Sequence, residues 1–103
     1  MNILEQHTKF MSAAIELAQQ AAEAGEVPVG AVIVRDGEII GTGHNLSISN
    51  HDATAHAEIV AMRNASMSLE NYRLNGCDLY VCLLYTSDAA DEGLGVDLGG
   101  RRI

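Results

Sequence analysis

Asp36-Gly37 constrains the architecture of this chain more than any other pair of residues. Both favour positive φ, which the central positions of a tight turn between antiparallel strands require. Before the pair, Val27-Pro28-Val29-Gly30 leads into Ala31-Val32-Ile33-Val34, an apolar run fit for a buried strand. After it, Glu38-Ile39-Ile40-Gly41-Thr42-Gly43 reads as the return strand. Upstream, Met11, Ala14, Ile15, Ala18, Ala21 and Ala22 recur at three- and four-residue spacing, which predicts an amphipathic helix over residues 6–24. Gly25 is its natural stop, because glycine enters the left-handed region cheaply.

Beyond the hairpin, residues 44–53 are polar and turn-rich and read as a loop. Thr54 is expected to cap a second helix running to about Ala65, with Ile59, Val60 and Met62 available for burial. Asn75-Gly76 breaks the chain again, and Cys77 to Val81 begins a third strand. Helix, hairpin, helix, strand is an α/β pattern. After Val81 no sustained period remains, and Gly93, Gly95, Gly99 and Gly100 crowd the end. The expectation for residues 82–103 is a disordered or badly packed tail.

A chain of 103 residues holds one domain at most, and its 48% apolar content is ordinary for a globular protein. No apolar run approaches the roughly 20 residues of a membrane span. No basic segment followed by an apolar stretch opens the chain, so the cytosol is the expected compartment. The net charge of −8 argues against a general nucleic-acid-binding surface, which should be basic. Residues 1–81 carry ten acids against four bases, so a polynucleotide substrate would need a local basic groove or a further segment. Cys77 and Cys82 read as free thiols on or near a strand; spaced C-x4-C with no histidine close by, they make a poor zinc pair.

Asp52-Ala53-Thr54-Ala55-His56-Ala57-Glu58 is where chemistry concentrates. Hydrolytic deamination attacks an aromatic ring carbon that bears an amine, and water at neutral pH is too weak a nucleophile for it. Zinc with three protein ligands and one open position brings bound water towards a pKa of about 7. A carboxylate outside the ligand set must then carry the proton to the ring nitrogen and the departing ammonia. His56 and Glu58 fit these two roles at a helix start, where the first turn directs unpaired amides at a pocket and favours negative charge there. An H-x-E triplet by itself is weak evidence, since chance supplies one in roughly one chain in ten of this length. His7, His44 and His51 read as surface or loop histidines, with His51 placed to shape the loop beside the site.

Glu26-Val27-Pro28-Val29-Gly30-Ala31-Val32, Gly43-His44-Asn45, Asp52 to Glu58 and Asn71-Tyr72-Arg73-Leu74 stand in one order and spacing. In this the chain resembles the bacterial tRNA-specific adenosine deaminases, zinc enzymes of the cytidine-deaminase-like group, over about residues 1–81. The resemblance implies a three-layer α/β/α sheet, of which helix, β-hairpin, helix and strand form the N-terminal half. It implies His56 as the first Zn2+ ligand, Glu58 as the catalytic proton shuttle, and Asn45 as the amide that bonds a flipped-out base. Val29 would line the base pocket and the Ala57 amide would lie near the reacting edge. The activity implied is conversion of adenosine to inosine at the tRNA anticodon wobble position, by a cytosolic homodimer acting on the anticodon loop. Ala53 departs mildly, since proline is usual there.

The large departure follows Val81. Where the family supplies a P-C-x-x-C turn, Thr86 and Ala89 occupy the two thiolate positions, and Cys82 falls four residues too early. Cys82 to Glu92 resemble the translation of a transposase-type sequencing adapter, so the expected boundary lies near Val81: a partial deaminase domain over 1–81 and a non-native tail over 82–103. Two other readings share the fold: a guanine, cytosine or nucleotide deaminase, and a non-catalytic remnant without metal.

Overall fold

The computed structural model describes residues 3–86 and 94–102. In chain order the elements are α1 (Ile3–Glu23), β1 (Val29–Arg35), β2 (Glu38–His44), α2 (Ala57–Leu69), β3 (Asp78–Thr86) and β4 (Leu94–Arg102). The strands make one sheet in the order β2-β1-β3-β4, with every neighbouring pair antiparallel. Strand β1 is central, and its side chains alternate between two cores. Ala31 and Ile33 pack beneath α2 with Ala57, Ala61 and Ala65. Val32 and Val34 pack beneath α1 with Phe10 and Tyr80. The result is the expected three layers, helix on sheet on helix.

Both helices approach the sheet closely because alanine meets glycine at the contact. Helix α1 buries Phe10, Ala14, Ala18 and Ala21 along one stripe, and a Cβ on Gly30 would collide with the Ala14 carbonyl. Helix α2 buries Ala57, Ala61 and Ala65. A Cβ on Gly41 would lie 2.5 Å from the Ala61 carbonyl oxygen, and one on Gly43 2.6 Å from that of Ala57. Such distances exclude any side chain unless the helix moves.

The turn and stop signals take the predicted form. Asp36 and Gly37 have φ of 53° and 78°. Gly25, at φ 78°, ends α1 with its N–H donating to the Ala22 carbonyl, while the Glu26 N–H reaches back to that of Ala21. That pair of bonds is the Schellman arrangement.

Two expectations are corrected. The N-cap of helix α2 is His56, not Thr54, and the helix runs from Ala57 to Leu69, past Ala65. Thr54 does not cap it: the Thr54 hydroxyl oxygen, which would have to accept a helix N–H, accepts from Arg63 instead. The hydroxyl and N–H of Thr54 donate to the Asp52 carboxylate in a tight local turn. The third strand, expected to begin over Cys77 to Val81, spans Asp78–Thr86. Residues 94–102 pair along it as β4 where a disordered or badly packed tail was expected, residues 87–93 of that tail lying outside the described ones. Backbone pairing asks for an unpaired edge and no side-chain pattern, and β3 offers that edge. Among the described residues no helix is long and apolar enough to cross a membrane.

Candidate active site

Asn45 immediately follows β2 and is 4% exposed. Its carboxamide oxygen accepts the Ala57 N–H at 3.1 Å. That N–H belongs to the first residue of α2 and has no partner within the helix, so Asn45 satisfies it from outside. A carboxamide nitrogen could not accept this bond, so the bond fixes which way the group points. The NH2 end is left with its donors uncommitted among the described residues. The Asn45 N–H in turn donates to the Val29 carbonyl at 3.1 Å. Val29, Asn45 and Ala57 are thus one hydrogen-bonded chain across β1, the loop and α2. The Ala57 amide is committed to Asn45, so its contribution is to orient the carboxamide.

His56 is the N-cap residue of α2, with extended backbone (φ −73°, ψ 150°) and an exposed side chain that makes no capping bond. Glu58 is the second helical residue, half-buried. It lines an open trough of about 440 Å³ with Leu79, Val81, Gly99 and Gly100. The structure therefore gathers Val29, Asn45, His56, Ala57 and Glu58 at the start of α2. A larger cleft of about 600 Å³, lined by Gln6, His7, Phe10, Asp36 and Tyr80 among others, contains none of these residues. His7 is engaged there with the Tyr80 hydroxyl at 2.6 Å.

Sequence reasoning missed two carboxylates that shape the loop between Asn45 and His56. Asp52 accepts the Thr54 N–H at 2.9 Å and the Thr54 hydroxyl at 2.7 Å. Arg63 of α2 lies 3.7 Å from the same carboxylate and donates to the Thr54 hydroxyl at 3.2 Å. The Thr54 bonds first, and then the Arg63 charge, hold the Asp52 carboxyl below its usual range. The Asp-x-Thr spacing was an available signal for this turn. Glu26 is 5% exposed, with Oε1 accepting the Ile48 N–H at 3.0 Å and Oε2 accepting the Ser49 N–H at 2.6 Å and the Ser49 hydroxyl at 2.7 Å. Those bonds, the Ile48 one foremost, lower its pKa. No local pattern announces a buried glutamate there.

A zinc ion does not fit the residues present. Among the described residues no three His, Cys, Asp or Glu side chains converge to hold a metal. Cys82 is completely buried against Ala14, Ala18 and Leu84, on the α1 face of the sheet. His56 and Glu58 stand on the opposite face, with α2, so the pleat directs the Cys82 thiol away from them. Cys77 is buried in the α2-side core and contacts the Asn75 carbonyl. Neither cysteine is in a disulfide, as their sequence setting implies. Ala89, at the second thiolate position, lies outside the described residues, as does the side chain of Thr86 at the first.

Residues 4–85 match the family model of the cytidine and deoxycytidylate deaminase zinc-binding region. The chain is 55% identical over 76 residues to a tRNA-specific adenosine deaminase of Haemophilus influenzae, covering 73% of this chain and 44% of that protein. It is 58% identical over 74 residues to one from Buchnera aphidicola, covering 72% and 46% respectively. A solved structure from work on A-to-I editing by tRNA:A34 deaminases at the wobble position superposes with a TM-score of 0.71 at 47% identity, covering 72% of this chain and 57% of that one. The guanine deaminase of Bacillus subtilis superposes with a TM-score of 0.69 at 43% identity, covering 79% and 50%. The chain spans about half the length of the curated relatives it matches.

Proposed function

This chain belongs to the cytidine and deoxycytidylate deaminase family, and from that premise we propose that it is the N-terminal part of an enzyme converting adenosine to inosine at the wobble position of a tRNA anticodon. The observation that carries the reading is the Val29–Asn45–Ala57 hydrogen-bonded chain, which aims an otherwise uncommitted carboxamide NH2 beside the helix start that bears His56 and Glu58. A carboxamide so held can donate to a ring nitrogen or carbonyl of a base removed from its stack. The named activities of the curated relatives support adenosine in tRNA as substrate. The reading includes a homodimer in the cytosol with the tRNA anticodon loop as partner.

The family site holds zinc, which supplies an activated water when bound. In the full enzyme His56 would be one ligand and Glu58 the group that moves protons. Among the described residues no three His, Cys, Asp or Glu side chains converge, so no catalytic step through a metal is assigned to this chain. We attribute this to a boundary near Val81, with residues 82–103 foreign to the natural protein. The unbroken gene should then encode a proline and two cysteines spaced P-C-x-x-C within about eight codons of that point. Finding the present tail in native genomic DNA would remove this explanation.

With the natural continuation restored, the protein should produce inosine in an anticodon stem-loop RNA. Replacing Glu58 by Gln should lower the rate by about 10²–10⁴-fold, the range for a general acid–base group. The likeness to guanine deaminase keeps a second reading open, and the same preparation decides it. Ammonia released from guanine, with the RNA untouched, would displace the tRNA reading.

A further inference from the structure

The loop from Asn45 to His56 begins and ends on residues of the candidate site, so whatever fixes the loop fixes their relation. Its middle is held from outside by one group. Ile48 and Ser49 give two backbone N–H groups and a hydroxyl to the Glu26 carboxylate, and both carboxylate oxygens are used. Glu26 is 5% exposed, and among the described residues no Lys or Arg forms a salt bridge with it. A carboxylate so removed from water is tolerated only when hydrogen bonds replace its hydration, and these three come from the loop. The backbone of Glu26 is fixed as well, since its N–H donates to the Ala21 carbonyl in the cap of α1. Glu26 is therefore a joint, with one end in the helix α1 terminus and the other in the site loop.

We propose that Glu26 is a positioning residue: by pinning Ile48 and Ser49 it holds the loop so that the Asn45 carboxamide meets the Ala57 N–H at the start of α2. What that carboxamide is for rests on the function proposed above, but the pin itself does not. The remainder of the loop is braced separately. Leu46 and Ala55 share a backbone bond across its base, and Arg63 and Asp52 hold Thr54. Neither brace reaches Ile48 or Ser49. Within the loop the Ile48 carbonyl accepts the His51 N–H, but among the described residues the hydrogen bonds that tie Ile48 and Ser49 to the rest of the fold come from Glu26.

Amide hydrogen exchange by NMR on the full chain tests this, in wild type, Glu26→Ala and Glu26→Asp, with the Asn45 side-chain NH2 resonances followed in parallel. In Glu26→Ala, exchange at Ile48, Ser49 and Ala57 should rise on the order of tenfold, the scale of one lost hydrogen bond. The Asn45 NH2 signals should shift, while Val32 and Ile33 in β1 exchange as before. Glu26→Asp keeps charge and both acceptors but draws them back by one methylene, and should show the same pattern in weaker form. If Glu26→Ala also loses protection at Val32 and Ile33, Glu26→Asp decides. Wild-type exchange at Ala57 and unmoved Asn45 NH2 signals in a folded variant overturn the proposal. None of these readouts needs deamination, so a failed pin and a failed substrate assignment are told apart.

Discussion

Asn45 was legible in the sequence only through its resemblance to a family motif, and the structure shows the physical reason a carboxamide stands there. Its oxygen caps a buried helix amide and its nitrogen is left to donate. Asn45→Ala should lower stability by about 1–3 kcal/mol, the cost of leaving a buried donor unsatisfied. Asn45→Asp keeps the acceptor and should retain most of that, which paired thermal melts would show. Acid provides a second measurement at this scale. The Glu26 and Asp52 carboxyls are held below their ordinary values by hydrogen bonds from Ile48, Ser49 and Thr54, with the His44 charge adding to Glu26 and that of Arg63 to Asp52. A depressed folded-state value means their stabilisation is complete at neutral pH and is lost as pH falls below the usual carboxylate range. Amide protection at Ile48, Ser49 and Thr54 should therefore fade on acidification before that of Val32 and Ile33.

At the scale of elements, alanine on a helix facing glycine on a strand sets how near the layers come. Gly43→Ala places a methyl into the Ala57 carbonyl and must lift α2 from β2, so we expect destabilisation of about 1–3 kcal/mol. The shift should also loosen the Asn45–Ala57 bond, visible as faster Ala57 exchange. At Gly25 the case is different: a Cβ there would meet nothing within 4 Å, so the requirement for glycine is conformational alone. The helices, the hairpin and the start of β3 were readable because each follows from periodicity or from turn residues within a few positions. The beginning of α2 was not. Thr54 has the chemistry of a cap, but its hydroxyl is drawn into a local turn, donating to Asp52 and accepting from Arg63, and propensity does not record which bond wins.

For the molecule as a whole, the decisive quantity is the metal. A complete structural zinc site stabilises a peptide by about 10–16 kcal/mol, which needs a full ligand set. With no converging set of three ligands beside His56 among the described residues, purified protein of residues 1–103 should hold sub-stoichiometric zinc, and its melting temperature should not respond to zinc or a chelator. One equivalent of tightly held metal would contradict the assignment of ligands. The half-site is legible because His56 and Glu58 lie two residues apart on one helix start. The missing half could be noticed in the sequence, but the irrelevance of Cys82 could not be proved there. Its exclusion rests on which face of β3 it occupies, and that is set by pairing with β1, where Cys82 stands opposite Gly30.

Local chemistry written in the sequence determined the Asp36-Gly37 turn, the Gly25 stop, the apolar stripe of α1 and the adjacency of an imidazole and a carboxylate, because each depends on residues within one or two turns of chain. Tertiary structure alone decided the rest. It set the burial of Glu26 beneath a distant loop, the direction of the Asn45 carboxamide, the face taken by Cys82, and the pairing of residues 94–102 along β3. Those outcomes turn on which donors, acceptors and open edges meet in space, and segments far apart in the chain settle that only once they are packed together.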